Sequence, residues 1–88
     1  MVKIYTIDRC PYCQELKNLL TSANIEFTEV NVDIEENKKE YDRIHKITKS
    51  DEVPIIKINS KLLVPNVSFH SINDAFYLIK TIIIEDNK

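Results

Sequence analysis

The chain has 88 residues, 43% apolar and 30% charged, with a formal net charge of −2; this describes one small domain around a single core. Acids and bases are interspersed, which leaves no basic footprint for nucleic acid. No apolar run approaches the ~20 residues of a membrane span, and Met1-Val2-Lys3-Ile4 does not open a secretory signal, so a cytoplasmic protein away from membranes is expected. Glycine is absent, although an average usage of about 7% would supply roughly six. Tight turns are therefore expected at Asn, Asp, Ser or Pro.

Val2-Lys3-Ile4-Tyr5-Thr6-Ile7 alternates apolar and polar residues, with β-branched and aromatic side chains, and reads as a strand. Asp8-Arg9 breaks it. Pro11 suits the first position of a helix, where its missing N–H is no loss, and this puts Cys10 at the N-cap. Cys13, Leu16, Leu19, Leu20 and Ala23 recur at spacings of three and four, the stripe of a helix that ends at Asn24, a residue tolerant of left-handed backbone. Ile25 to Val32 alternates imperfectly and is a second strand. Strand, helix and strand in about thirty residues form a βαβ unit with parallel strands.

Asp33 is placed to cap a second helix, in which Glu35 to Glu40 is a solvated face and Tyr41, Ile44 and Ile47 or Thr48 point inward. Thr48 to Glu52 is a loop. Val53-Pro54-Ile55-Ile56-Lys57-Ile58 is a third strand, with Pro54 at its beginning, where a missing ladder donor is tolerated. Asn59-Ser60 turns into a fourth strand, Lys61-Leu62-Leu63-Val64, which Pro65-Asn66 ends. Ser71 and Asp74 resemble a capping box, and Ile72, Ala75, Phe76, Ile79, Ile82 and Ile83 make the strongest helical stripe in the chain. Glu85 to Lys88 are expected to fray. Residues 1–88 thus read as one α/β domain of order β-α-β-α-β-β-α.

The two cysteines of the chain, Cys10 and Cys13, fall at the junction of the first strand and first helix. A thiolate attacks a disulfide and a thiol does not; a sulfur at a helix N-terminus faces unpaired N–H groups and the positive end of the dipole. Arg9 adds a positive charge beside it. Thiols in such motifs have pKa values from about 3.5 to about 7, against about 8.5 for a free thiol. Cys10 is therefore the expected nucleophile. Cys13, one turn inside the helix, is the expected resolving thiol, which displaces the substrate from a mixed disulfide. A zinc site is not expected in one chain, because there is no second cysteine pair and His45 and His70 lie too far apart to complete one. His70 reads as an exposed or capping loop residue, and Tyr41 and Phe76 as core.

Cys10-Pro11-Tyr12-Cys13 at a strand–helix junction, Val53-Pro54 opening the third strand, and a hairpin followed by a final helix resemble a glutaredoxin of the dithiol CPYC type. The resemblance covers roughly Val2 to Ile83. It implies a thioredoxin-like fold, a four-stranded mixed sheet flanked by helices, in a monomer. It also implies glutathione as reductant, and protein disulfides or glutathione mixed disulfides as substrates. By the same resemblance Pro54 is cis and faces the cysteines, the Val53 backbone pairs with the cysteinyl part of glutathione, and Tyr12 lines the groove. Asn73 and Asp74 fall near the family aspartate that holds the γ-glutamyl end. Some glutaredoxins also share an iron–sulfur cluster between two chains.

The sequence departs from the family pattern in three ways. His70-Ser71 stands where the family usually has two glycines, Ile7 where it has a lysine that meets a glutathione carboxylate, and Val64 to Phe69 is longer than usual. Arg9 or Lys49 is the candidate to supply the lost charge. Two alternatives follow. One resembles the glutaredoxin-like hydrogen donors of ribonucleotide reductase, which are reduced by thioredoxin reductase. The other is a non-catalytic binding module that uses the Pro54 groove.

Overall fold

The computed structural model describes residues 1–86. Four strands, β1 (Val2–Thr6), β2 (Phe27–Asn31), β3 (Ile55–Ile58) and β4 (Lys61–Leu63), form one sheet in the order β2-β1-β3-β4. β1 runs parallel to β2 and antiparallel to β3, and β3 is antiparallel to β4. The α-helices α1 (Pro11–Ser22), α2 (Lys38–Thr48) and α3 (Ile72–Asp86) complete the expected order among the described residues, with a 3₁₀ turn, Glu35–Asn37, leading into α2. None of these helices is long and apolar enough to cross a membrane.

Because successive strand residues face opposite sides, the sheet builds two cores. Val2, Ile4, Ile56 and Ile58 meet Leu16 and Leu20 of α1 and Ala75 and Ile79 of α3. On the other face Tyr5, Val30, Val32 and Ile55 meet Ile44 of α2. The register keeps each face consistent: Ile4 pairs with Ile56 and Tyr5 with Ile55. Tyr41 packs partly buried against the second core and Phe76 against the first.

Several boundaries differ from those read in the sequence. β1 stops at Thr6, β2 is trimmed to Phe27–Asn31, and β3 begins at Ile55, after Pro54. Asp33 does not cap α2; its carboxylate accepts the Asp8 amide N–H at 2.7 Å instead. Ile47 is 68% exposed, while Thr48 takes the half-buried position. Glu85 and Asp86, expected to fray, belong to α3. Their order has a reason: Asp86 accepts from Asn59 Nδ2 at 2.6 Å and pairs with Lys61 at 3.7 Å, tying the helix end to the β3–β4 hairpin. The expectation for Asn87 and Lys88 lies outside the described residues.

The lack of glycine is resolved less selectively than expected. Left-handed backbone occurs at Asn24 (φ 57°), Asn59 (56°) and Asn66 (62°), but also at Arg9 (56°) and Lys49 (58°). Lys49 follows α2, where its amide N–H donates to the His45 carbonyl at 2.8 Å and a cation suits the helix C-terminus. Arg9 precedes Cys10 and turns the chain from β1 into α1. Such a residue at positive φ costs about 1–3 kcal/mol, which the packed turn on either side must offset.

The α2 face also carries a polar cluster. Glu40 accepts from Lys3 Nζ at 2.8 Å and from the Tyr5 hydroxyl at 2.7 Å. The Lys3 and Tyr5 hydrogen bonds hold the Glu40 carboxyl below the usual carboxylate range, while burial and the adjacent carboxylate push the Tyr5 phenol up. A carboxyl with a depressed folded-state pKa contributes stability above its unfolded pKa, and that contribution is lost as pH falls through the folded value. Glu40→Gln is therefore expected to lower stability at neutral pH by about 1 kcal/mol. It should also flatten the acid limb, which denaturant midpoints measured against pH will show. A variant with the wild-type acid slope would mean that Glu40 contributes nothing to it.

Candidate active site: a disulfide at the start of a helix

The site begins where β1 ends. Val32 N–H donates to the Thr6 carbonyl at 2.8 Å, extending the β1–β2 pairing by one residue. Asn31 Nδ2 reaches the Asp8 carboxylate at 2.8 Å, and Asn31 Oδ1 accepts from the Asp33 N–H at 2.9 Å. These bonds, with the Asp8–Asp33 contact, brace the turn that Arg9 completes. Cys10 then takes an extended N-cap conformation (φ −106°, ψ 103°) ahead of Pro11. Its Sγ accepts from the Cys13 backbone N–H at 3.2 Å, so the first cysteine's sulfur occupies the place an N-cap oxygen would fill.

Cys10 and Cys13 are joined by a disulfide, with their Cα atoms 5.2 Å apart. The two differ sharply in surroundings. Cys10 is half-buried, whereas Cys13 is only 2% exposed and lies on the buried face of α1, with Leu16 and Leu20. Once the bond is reduced, Cys10 is thus the sulfur with both an anion-stabilising donor, the Cys13 N–H, and access to solvent.

Beside Cys10 opens a groove of about 530 Å³. It is lined by Arg9, Pro11 and Tyr12 around the start of α1, by Val53 and Pro54 ahead of β3, and by Pro65, Asn66 and the Phe69–Ile72 segment. The Val53–Pro54 peptide is cis. Pro54 is fully buried, and Tyr12 is 64% exposed. Of the residues expected at the site, the structure brings Arg9, Cys10, Tyr12, Val53 and Pro54 together on this groove. Asn73 and Asp74 stand in the first turn of α3, exposed and next in sequence to the lining residue Ile72. The Asp74 amide N–H donates to Ser71 Oγ at 3.1 Å, one half of the anticipated capping box.

Other lining residues escaped the sequence reading. Asp51 and Glu52 edge the groove; Asp51 pairs with His45 Nε2 at 2.8 Å, and Glu52 accepts from the side-chain amide of Asn66, another lining residue. Their position just before Val53 was the available signal, obscured because they read as the tail of a solvated loop. His70, expected as a loop residue, lines the groove as well as being exposed. The Val64–Phe69 segment, expected to be longer than usual, closes on itself: Val67 and Ser68 N–H donate to the Val64 carbonyl, and Asn66 N–H to that of Phe69. This packs Phe69, 5% exposed, into the core. Lys49 does not line the groove; it caps α2. Among the described residues, no three or more His, Cys, Asp or Glu side chains gather as a metal site would require.

Comparison with known proteins gives a consistent pattern. Residues 2–63 match the sequence model of the glutaredoxin family. An uncharacterised glutaredoxin-like 8.6 kDa protein in a rubredoxin operon of Clostridium pasteurianum is 38% identical over 64 residues, covering 73% of this chain and 83% of that protein. Glutaredoxin 3 of Escherichia coli K12 is 44% identical over 39 residues, 44% of this chain and 47% of that protein, so this match spans under half of either. Among solved structures, the dithiolic glutaredoxin 2-C-Grx1 of Trypanosoma brucei brucei superimposes with a TM-score of 0.68 at 26% identity, over 91% of this chain and 77% of that one.

Proposed function

The chain belongs to the glutaredoxin family, and on that premise we propose that it is a dithiol thiol–disulfide oxidoreductase that uses glutathione as its electron donor. The observation that carries the reading is the placement of Cys10: its sulfur holds the N-cap position of α1, accepts the Cys13 N–H, and opens onto the Pro54 groove. Cys10 attacks a substrate disulfide as the thiolate, forming a bond to one substrate sulfur and releasing the other as a thiolate. Cys13 then attacks Cys10, the Cys10–Cys13 bond forms, and the second substrate thiolate leaves. Two glutathione thiols reduce that bond again, becoming glutathione disulfide. For a glutathione mixed disulfide, Cys10 alone suffices, with a second glutathione regenerating it.

The Val53 backbone is assigned the cysteinyl part of the tripeptide, Tyr12 the lining of the groove that receives it, Arg9 one of its carboxylates, and Asn73 and Asp74 its γ-glutamyl end. A reducing cytosol is the proposed setting, and glutathionylated or disulfide-bonded proteins are the proposed partners.

A second reading rests on what surrounds the groove. Ile7 carries no charge, Asp51 and Glu52 add negative charge, and the side chains of His70 and Ser71 occupy the wall. Glutathione carries two carboxylates, so these features weaken its hold and favour a protein reductant such as thioredoxin reductase. A coupled assay separates the two. NADPH oxidation with glutathione and glutathione reductase, but not with thioredoxin reductase, is expected. The reverse pattern reassigns the donor, and no oxidation in either arm points to a binding module.

A further inference from the structure

A second cavity, of about 490 Å³, lies on the β2 side of the disulfide, and the steps described above make no use of it. It gives Cys13 its polar surroundings. Once Cys10 is held in a mixed disulfide, Cys13 must ionise, yet a buried thiol is a reluctant acid because burial disfavours the charged form. Being a turn further into α1, it also receives less of the helix N-terminal field than Cys10.

Lys17 is four residues beyond Cys13 on the same face of α1, a spacing that places Cβ atoms about 5–6 Å apart, and both residues line the cavity. The lysine does not extend into solvent. Its Nζ donates to Glu29 Oε2 at 3.0 Å, and its side chain is 23% exposed. The same oxygen accepts from Thr6 Oγ1 at 2.7 Å, and Thr6 is fully buried beneath α1. A buried hydroxyl on β1 thus fixes a carboxylate on β2, which in turn fixes an ammonium over the cavity that Cys13 faces. The Thr6 hydroxyl, with Lys17 adding to it, holds the Glu29 carboxyl below the usual carboxylate range, so Glu29 stays ionised where thiols titrate.

We propose that Lys17, held by Glu29 and Thr6, is a positioning residue whose charge acidifies Cys13 and thereby sets the rate at which the mixed disulfide is resolved. This rests on the assignment of Cys13 as the resolving thiol. In the step concerned, Cys13 gives its proton to solvent in the cavity and its thiolate attacks the Cys10 sulfur. The Cys10–Cys13 bond forms as the bond from Cys10 to the substrate sulfur breaks. The substrate leaves with that electron pair as a thiolate and takes a proton from solvent; the dithiol supplies both electrons. Among the described residues, Asp8, Arg9, Lys17 and Glu29 are the charged groups lining the cavity, and α3 meets α1 through apolar side chains. Asp8 is bonded to Asn31, and Glu29 to Thr6 and Lys17; of the four, Lys17 alone shares α1 with Cys13, one turn further along the same face.

The test is stopped-flow reaction of the reduced protein with a symmetrical peptide disulfide, which releases one thiol when Cys10 attacks and the second when Cys13 does. The ratio of the second rate to the first is followed against pH. Lys17→Gln should move the pH inflection of the second step upward by about one unit, making resolution about tenfold slower below it. Lys17→Arg, which keeps the charge, should restore the wild-type inflection. If the wild type completes both steps and all three proteins share one inflection, the role of Lys17 is overturned and the dithiol cycle stands. Release of only the first thiol by the wild type overturns both.

Discussion

Cys10→Ser is expected to bring disulfide turnover down to background, a loss of about a thousandfold or more, as when a covalent nucleophile is removed. The substitution is chosen because serine preserves what the fold needs from this position. A serine oxygen is a good N-cap acceptor, so the bond from the Cys13 N–H survives in kind, and Pro11 still opens α1. What is lost is an ionisable sulfur: a hydroxyl at the same place has no accessible anion at neutral pH and forms no bond to a substrate sulfur. Thermal unfolding of the variant should stay near that of reduced wild type, which separates lost chemistry from lost structure. Retention of turnover would make Cys13 the nucleophile, against its 2% exposure. The assignment of Cys10 would then fail.

The sequence made this site legible because its chemistry is local. A proline after Cys10 and an apolar stripe from Cys13 to Leu20 are enough to put one sulfur at a helix start and the other inside it. The alternation in β1 and the Val53-Pro54 pair placed the neighbouring strands, and the two-residue turn at Asn59-Ser60 was recognisable without glycine. Less legible was whatever depends on contacts between distant segments. That Asp33 serves Asp8 and not α2 cannot be seen until β2 is laid beside β1. Asp86 is ordered by Asn59 and Lys61, partners more than twenty residues away. The left-handed Arg9 and Lys49 are set by the turns around them, against their own preferences. Thr6 looked like one more polar residue of an alternating strand, and its tie to Glu29 appears only once the parallel register is known.

Cys13→Ser should divide the two activities that Cys10→Ser abolishes together. Reduction of protein disulfides is expected to fall by about a hundredfold or more, because resolution would then depend on a free thiol from solution. An intramolecular group held in place acts at effective concentrations on the order of 10⁵ M and above, which millimolar glutathione does not approach. The disulfide itself, with Cα atoms 5.2 Å apart, puts Cys13 within reach of the Cys10 sulfur. Removal of glutathione from a protein should persist, since Cys10 takes the glutathionyl group and a second glutathione removes it as glutathione disulfide. With protein disulfides the variant should accumulate as a covalent adduct through Cys10, visible as a mass increase that a strong reductant reverses. Loss of both activities would mean that Cys13 is needed for more than resolution, through the N–H it gives to Cys10 or the packing beneath it. Preservation of both would mean that an outside thiol resolves the adduct in the native cycle too, and that the buried cysteine is not the resolving one.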